Sequence, residues 1–121
     1  MATIVDKLSP YNVKQRIPYG PPVQNIIVAG AINIANGVVF IGSAGALAVT
    51  LGDPPLDMDG CELVIQASTA QAHTVTYTAG FNGGTTSNDV ATFGGAVGDN
   101  LVLRAKAGLW LVQSKVNVTI A

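Results

Sequence analysis

The chain has 121 residues, a formal net charge of −1 and a charged fraction of 11%, against roughly 25% in an average soluble domain. That length makes one domain able to bury a core without disulfide staples, and the single cysteine, Cys61, excludes an internal disulfide. The near-neutral balance removes the electrostatic case for nucleic acid. The long uncharged stretches are broken by Gly, Pro and Asn, so none reads as a membrane span.

The charges are unevenly placed. No Asp, Glu, Lys or Arg occurs from Ile17 to Gly52 or from Leu63 to Asn88. A surface of Thr, Asn, Gly, Ala and Ser is one that a subunit packed among other subunits tolerates, because low surface charge promotes association. The opening MATIVDKLSP lacks the apolar run of a secretory signal.

Residues 1–22 read as an extended arm. Pro10, Pro18, Pro21 and Pro22 forbid a continuous helix and disfavour interior positions of a sheet. Lys7, Lys14 and Arg16 face only Asp6 there, and Tyr11 and Tyr19 lie beside the basic pair. Residues 23–121 read as a single β-domain.

Strand signals start near Gln24. Ile32 and Ile34 alternate with Asn33, and Val39 and Ile41 with Phe40. Asn36-Gly37 between these runs predicts a type I′ hairpin. After a turn over 42–45, Leu47, Val49 and Leu51 form one face of a strand that Gly52-Asp53-Pro54-Pro55 ends. Leu63, Ile65 and Ala67 face inward in the next, and His73, Val75 and Tyr77 oppose a ladder of Thr74, Thr76 and Thr78.

A glycine-rich loop over 80–88 follows, then a short strand over 90–93. Leu101, Leu103 and Ala105 share one face. Trp110, Val112, Val116, Val118 and Ile120 keep one parity to the C-terminus, with Ser114 the exception. About eight strands at this spacing predict an antiparallel all-β sandwich or small barrel, jelly-roll-like among the possibilities. No internal repeat stands out.

Chemistry is sparse. His73 is the single histidine, and reads as a strand residue bonded to a neighbouring Thr or carbonyl; one His and one Cys cannot furnish a structural zinc site. Asp57-Met58-Asp59-Gly60 has the look of a calcium-loop fragment but lacks the further oxygens and the closing Glu. The glycine-rich segments have no phosphate-loop Gly-Lys-Ser/Thr. No nucleophile–base pair is marked out, so the expectation is a protein that is not an enzyme and takes no cofactor or metal.

One resemblance remains. Asp59-Gly60, Leu63-Val64-Ile65, Thr69-Ala70-Gln71-Ala72-His73-Thr74-Val75, Gly80-Phe81-Asn82-Gly83-Gly84-Thr85, the run from Ala91 to Asp99, Gly108-Leu109-Trp110 and Asn117-Val118-Thr119 succeed one another. With the 32–41 segment, this resembles the small virion proteins of tailed bacteriophages that decorate or cement the capsid. The resemblance covers roughly residues 30–121 and is carried by turn and core motifs. It implies a β-rich homo-oligomer, a trimer, on the outer surface of the major capsid protein shell, made in the bacterial host cytoplasm. Tyr11, Lys14, Arg16 and Tyr19 are the capsid-contact residues expected on the arm. The alternative is a receptor- or glycan-binding module of a phage fibre or spike, using loops 69–72 and 81–89, with Phe81 available as a stacking residue although a residue so placed more often anchors its own loop.

Overall fold

A computed structural model describes residues 20–83 and 86–121. Ten strands form in that range: β1 (Val23–Ile26), β2 (Gly30–Ala31), β3 (Gly37–Ile41), β4 (Ala48–Leu51), β5 (Glu62–Ala67), β6 (Thr74–Tyr77), β7 (Val90–Phe93), β8 (Asn100–Lys106), β9 (Leu109–Val116) and β10 (Val118–Ile120). They make two five-stranded sheets, ordered β9-β8-β5-β3-β1 and β10-β7-β6-β4-β2. The protein is all-β and built as two sheets. No helix among the described residues is long and apolar enough to cross a membrane.

The pairing is mixed. Up to β6 the chain changes sheet at every strand, so β1 lies parallel to β3, β3 to β5, β2 to β4 and β4 to β6. The chain therefore winds three coils, each giving one strand to each sheet. From β7 onward the added pairings are antiparallel. The antiparallel expectation holds for that closing half and fails for the wound half.

The Asn36-Gly37 hairpin is absent for the same reason. These residues turn the chain from one sheet into the other, and Gly37 opens β3 at φ 125°. A Cβ there would sit 2.1 Å from the Pro22 carbonyl oxygen, which accepts a hydrogen bond from the Val38 N–H. Glycine is needed because the first coil passes directly over this point.

Winding also creates a repeat. Val38 pairs with Val64, Val39 with Ile65, Val49 with Val75 and Thr50 with Thr76, each partner 26 residues on. The first coil is shorter, placing Val23 beside Val38 and Gly30 beside Val49. The repeat is one of position, with few identical residues, and its unequal first turn hides it from a sequence comparison.

The core fills the space between the sheets. Val39, Ile41, Leu63, Ile65, Leu101, Leu103 and Ala105 from one sheet meet Val49, Val75, Tyr77, Ala91 and Phe93 from the other, all essentially buried. The inward parities expected for β4, β5, β6 and β8 are those observed. The C-terminal parity holds at Trp110, Val112, Val118 and Ile120 and fails at Val116. A bulge between Val112 and Ser114 shifts the register of β9, so Val116 is exposed. Asn117, at φ 54°, then carries the chain into the other sheet, where Val118 is buried again.

Candidate interaction surface

Most of the polar side chains that sequence alone could single out prove to hold the fold together. His73 is fully buried. Its Nδ1 accepts from the Leu47 N–H at 3.0 Å, so the ring proton sits on Nε2, which faces Thr69 Oγ1 at 3.0 Å. The same Thr69 oxygen accepts from the Ser43 N–H, and Gln71 Nε2 donates to the Ala44 carbonyl. These bonds clamp corner 68–73 of the third coil onto corner 42–47 of the second. Both imidazole nitrogens are engaged within one chain, which leaves none for a metal shared between copies.

Burial lowers the His73 pKa below its ordinary value. Protonation would place an N–H of the ring against the Leu47 N–H. Because the folded pKa lies below the unfolded one, the clamp contributes fully above about pH 6.5 and is lost as pH falls below it. Stability measured by urea denaturation is expected to fall between pH 7 and pH 5. His73→Asn, whose amide oxygen can replace Nδ1 as acceptor, should be less stable at pH 7 but should lose most of that slope. An unchanged slope in the variant would refute the assignment.

The acidic residues do not converge, and no group of three potential metal ligands occurs among the described residues. Asp59 accepts from the Ala107 N–H at 2.7 Å and pairs with Lys106. Asp53 accepts from the Tyr77 hydroxyl at 2.7 Å. Burial, reinforced by Asp53, pushes the Tyr77 pKa up to about 12, so the phenol stays neutral and also accepts from the Trp110 N–H. A shallow cleft of about 360 Å³ opens beside this pair, lined by Leu51, Gly52, Asp53, Tyr77, Thr78 and Ala79. Its aromatic ring belongs to the core and offers no face to a ligand.

Asp99 is buried too, accepting from the Ala96 N–H and from Asn117 Nδ2. The Ala96 N–H, with Asn117 and the Gly94 and Gly95 amides, holds its carboxyl below the usual range against the opposing effect of burial. Phe81 is likewise inside, its ring 5.3 Å from that of Tyr77. It anchors its own loop, the commoner of the two readings for such a residue, and offers no ring face for stacking on a ligand.

Exposed apolar side chains occur singly at Leu56, Val97 and Val116, and as a cluster at the open end of the first coil. Ile27 and Val28 are each 69% exposed, Val23 is 54% exposed, and Ala29, Gly30 and Ala31 beside them are exposed as well. A shallow groove of about 200 Å³ runs along residues 24–31. This end lies wholly in the charge-free run from Ile17 to Gly52. The far end of the same sheet is different: Arg104 bonds Gly60 and Gln113 and pairs with Glu62, and Lys106 pairs with Asp59.

The two strands bordering the open end are not equivalent. Ile32 donates to the Thr50 carbonyl, so the groups of Ala31 and Asn33 point the other way. The Gln24 side chain covers them: Nε2 donates to Ala31 O at 3.3 Å, and Oε1 accepts from the Asn33 N–H at 2.8 Å. The edge of β2 is thus capped. On β1, Pro22 and Ile26 carbonyls accept from Val38 and Gly42 of the β3 side, which directs the backbone groups of Val23 and Asn25 outward. β1 is the terminal strand of its sheet among the described residues.

Tyr11, Lys14, Arg16 and Tyr19 lie outside the described residues. The described chain begins at Gly20, directly ahead of β1. Val23, Asn25, Ile27 and Val28 were not singled out from sequence; the lack of charge from Ile17 to Gly52 was the signal that pointed to them. Comparison of the chain with protein-family models and with curated proteins returns no match.

Proposed function

We propose that this is a non-enzymatic virion protein that decorates a bacteriophage capsid, binding the outer surface of the major capsid protein shell as a homo-oligomer, a trimer. The observation that carries the reading is the uncharged, apolar open end of the first coil, with Ile27 and Val28 exposed. Exposed apolar surface of this kind marks a protein contact. The phage assignment is supported by the resemblance of roughly residues 30–121 to capsid decoration proteins. The polar clusters support a scaffold role, since His73, Tyr77 and Asp99 each spend their hydrogen bonds on the fold.

In this reading the arm supplies Tyr11, Lys14, Arg16 and Tyr19 to the shell, and contacts made only with the assembled shell stabilise that state by mass action. Purified protein is expected to co-sediment with undecorated capsids and to stay in the supernatant with an unrelated particle of similar size. Protein left in the supernatant with both would overturn the reading.

A further inference from the structure

We propose that the Asp99 carboxylate is an acid-operated latch on the C-terminal strand β10. While charged it holds the strand in place, and its protonation releases residues 117–121 before the core opens.

β10 is a small element reached by a tight crossing. It has three residues and pairs with β7 through Val118, Thr119 and Ile120. The chain enters it from β9, in the other sheet, through Asn117 at φ 54°. Asp99 fastens that crossing. Asn117 Nδ2 lies 3.1 Å from both carboxylate oxygens, and the Asn117 carbonyl accepts from the Gly94 N–H. The Ala96 N–H donates to Asp99 Oδ2 at 3.0 Å, and the Gly94 and Gly95 amides add to it. The contact is close enough to require glycine at 94, where a Cβ would lie 2.3 Å from Asn117 Nδ2. The Asp99 carbonyl and the Gly98 N–H in turn bond Ala67, at the end of β5. The 94–99 turn is thus fixed to one sheet, and the carboxylate joins it to the strand entering the other.

Every group named around the carboxylate is a neutral donor. A proton added there would meet N–H groups and no acceptor among them. Gln66, near Gly98, and Asn100, which donates to the Gly98 carbonyl, are neutral as well. Lys115 is exposed, and the ion pairs among the described residues join Arg104 to Glu62 and Lys106 to Asp59. The donors favour the charged form, so the folded pKa of Asp99 lies below the ordinary carboxylate value. The latch is therefore fully closed above about pH 4, the value for an unfolded chain, and opens as pH falls through the lower folded value. The His73 carbonyl accepts from the Phe93 N–H on the strand that β10 pairs with, and its ring titrates at higher pH, so the variants are compared at pH 7, where that ring is neutral.

The test is amide exchange of the full chain, read by NMR as protection factors. The Gly94, Val90 and Ala121 amides bond across the contact of β10 with β7 and report the latch. The Ala105 amide, bonded to the Cys61 carbonyl, reports the core. Below about pH 4 protection is expected to fall at the first three and persist at Ala105, with the midpoint shown by the Asp99 side-chain carbon. At pH 7 Asp99→Asn should lower protection at the three by about tenfold or more, because hydrogen bonds to a charged group are the stronger kind, and should abolish its pH dependence. Asn117→Gly, which tolerates the same backbone conformation, deletes only the tie and serves where Asp99→Asn fails to fold. It should loosen β10 and raise the Asp99 midpoint towards the ordinary value. Loss of protection at Ala105 together with β10, different midpoints for Asp99 and β10, or unchanged protection in both variants would each overturn the proposal.

Discussion

Trp110→Ala is expected to remove about 3–5 kcal/mol of stability, the range for deleting a large aromatic side chain from a packed core. Trp110 is 1% exposed. Its indole N–H donates to the Gly52 carbonyl at 2.9 Å, and its backbone N–H donates to the Tyr77 hydroxyl. The residue therefore ties the closing strand β9 to the end of β4 in the opposite sheet. Truncation opens a cavity and also leaves the Gly52 carbonyl without its donor. Set against a total of about 5–15 kcal/mol for a typical domain, this is enough to unfold much of the population on mild warming. Urea denaturation followed by circular dichroism measures it, with Leu111→Ala on the neighbouring, partly exposed position as a small-effect control. A loss under about 1 kcal/mol would mean the core is not organised around this residue.

Gly37→Ala is the second large effect. The added methyl would lie 2.1 Å from Pro22 O, and the backbone is held at φ 125°. The conformation alone costs an L-residue about 1–3 kcal/mol, and relieving the clash breaks the Val38-to-Pro22 hydrogen bond, worth about 1 kcal/mol more. β1 should peel from β3, so amide exchange is expected to rise at Gln24 and Ile26 before it rises in β5 or β8. Gly45→Ala, which meets no atom within 4 Å, should change neither stability nor exchange. Protection of β1 unchanged in the Gly37 variant would show that the first coil is not closed at this contact.

Alternation read locally gave the inward faces of β4, β5, β6 and β8, because side-chain direction in a strand depends on neighbours two residues away. Strand partners were not legible. Asn36-Gly37 satisfies a hairpin rule, yet the strands flanking it lie in different sheets, and what settles the matter is the carbonyl of Pro22 passing over Gly37. The β9 bulge defeated parity at Val116, because one inserted residue reverses the side chains that follow it within that strand.

The interaction surface was half legible. The charge-free run from Ile17 to Gly52 is a sequence signal that favours association, but the capping of the β2 edge depends on Gln24 folding across to Ala31 and Asn33. That is a tertiary contact between strands of different sheets, with no local signal. His73 shows the reverse: a lone histidine beside a Thr-rich strand reads as bonded to a neighbouring Thr or carbonyl, and the structure supplies Thr69 together with the Leu47 N–H in place of a carbonyl.

The measurement that bears most directly on the central claim is a binding isotherm of the full chain on undecorated capsids of its phage, taken by co-sedimentation. Decoration predicts saturation at a fixed number of copies per shell, reached at the same plateau from independent shell preparations. Absence of binding, or uptake that rises without a plateau, would contradict it.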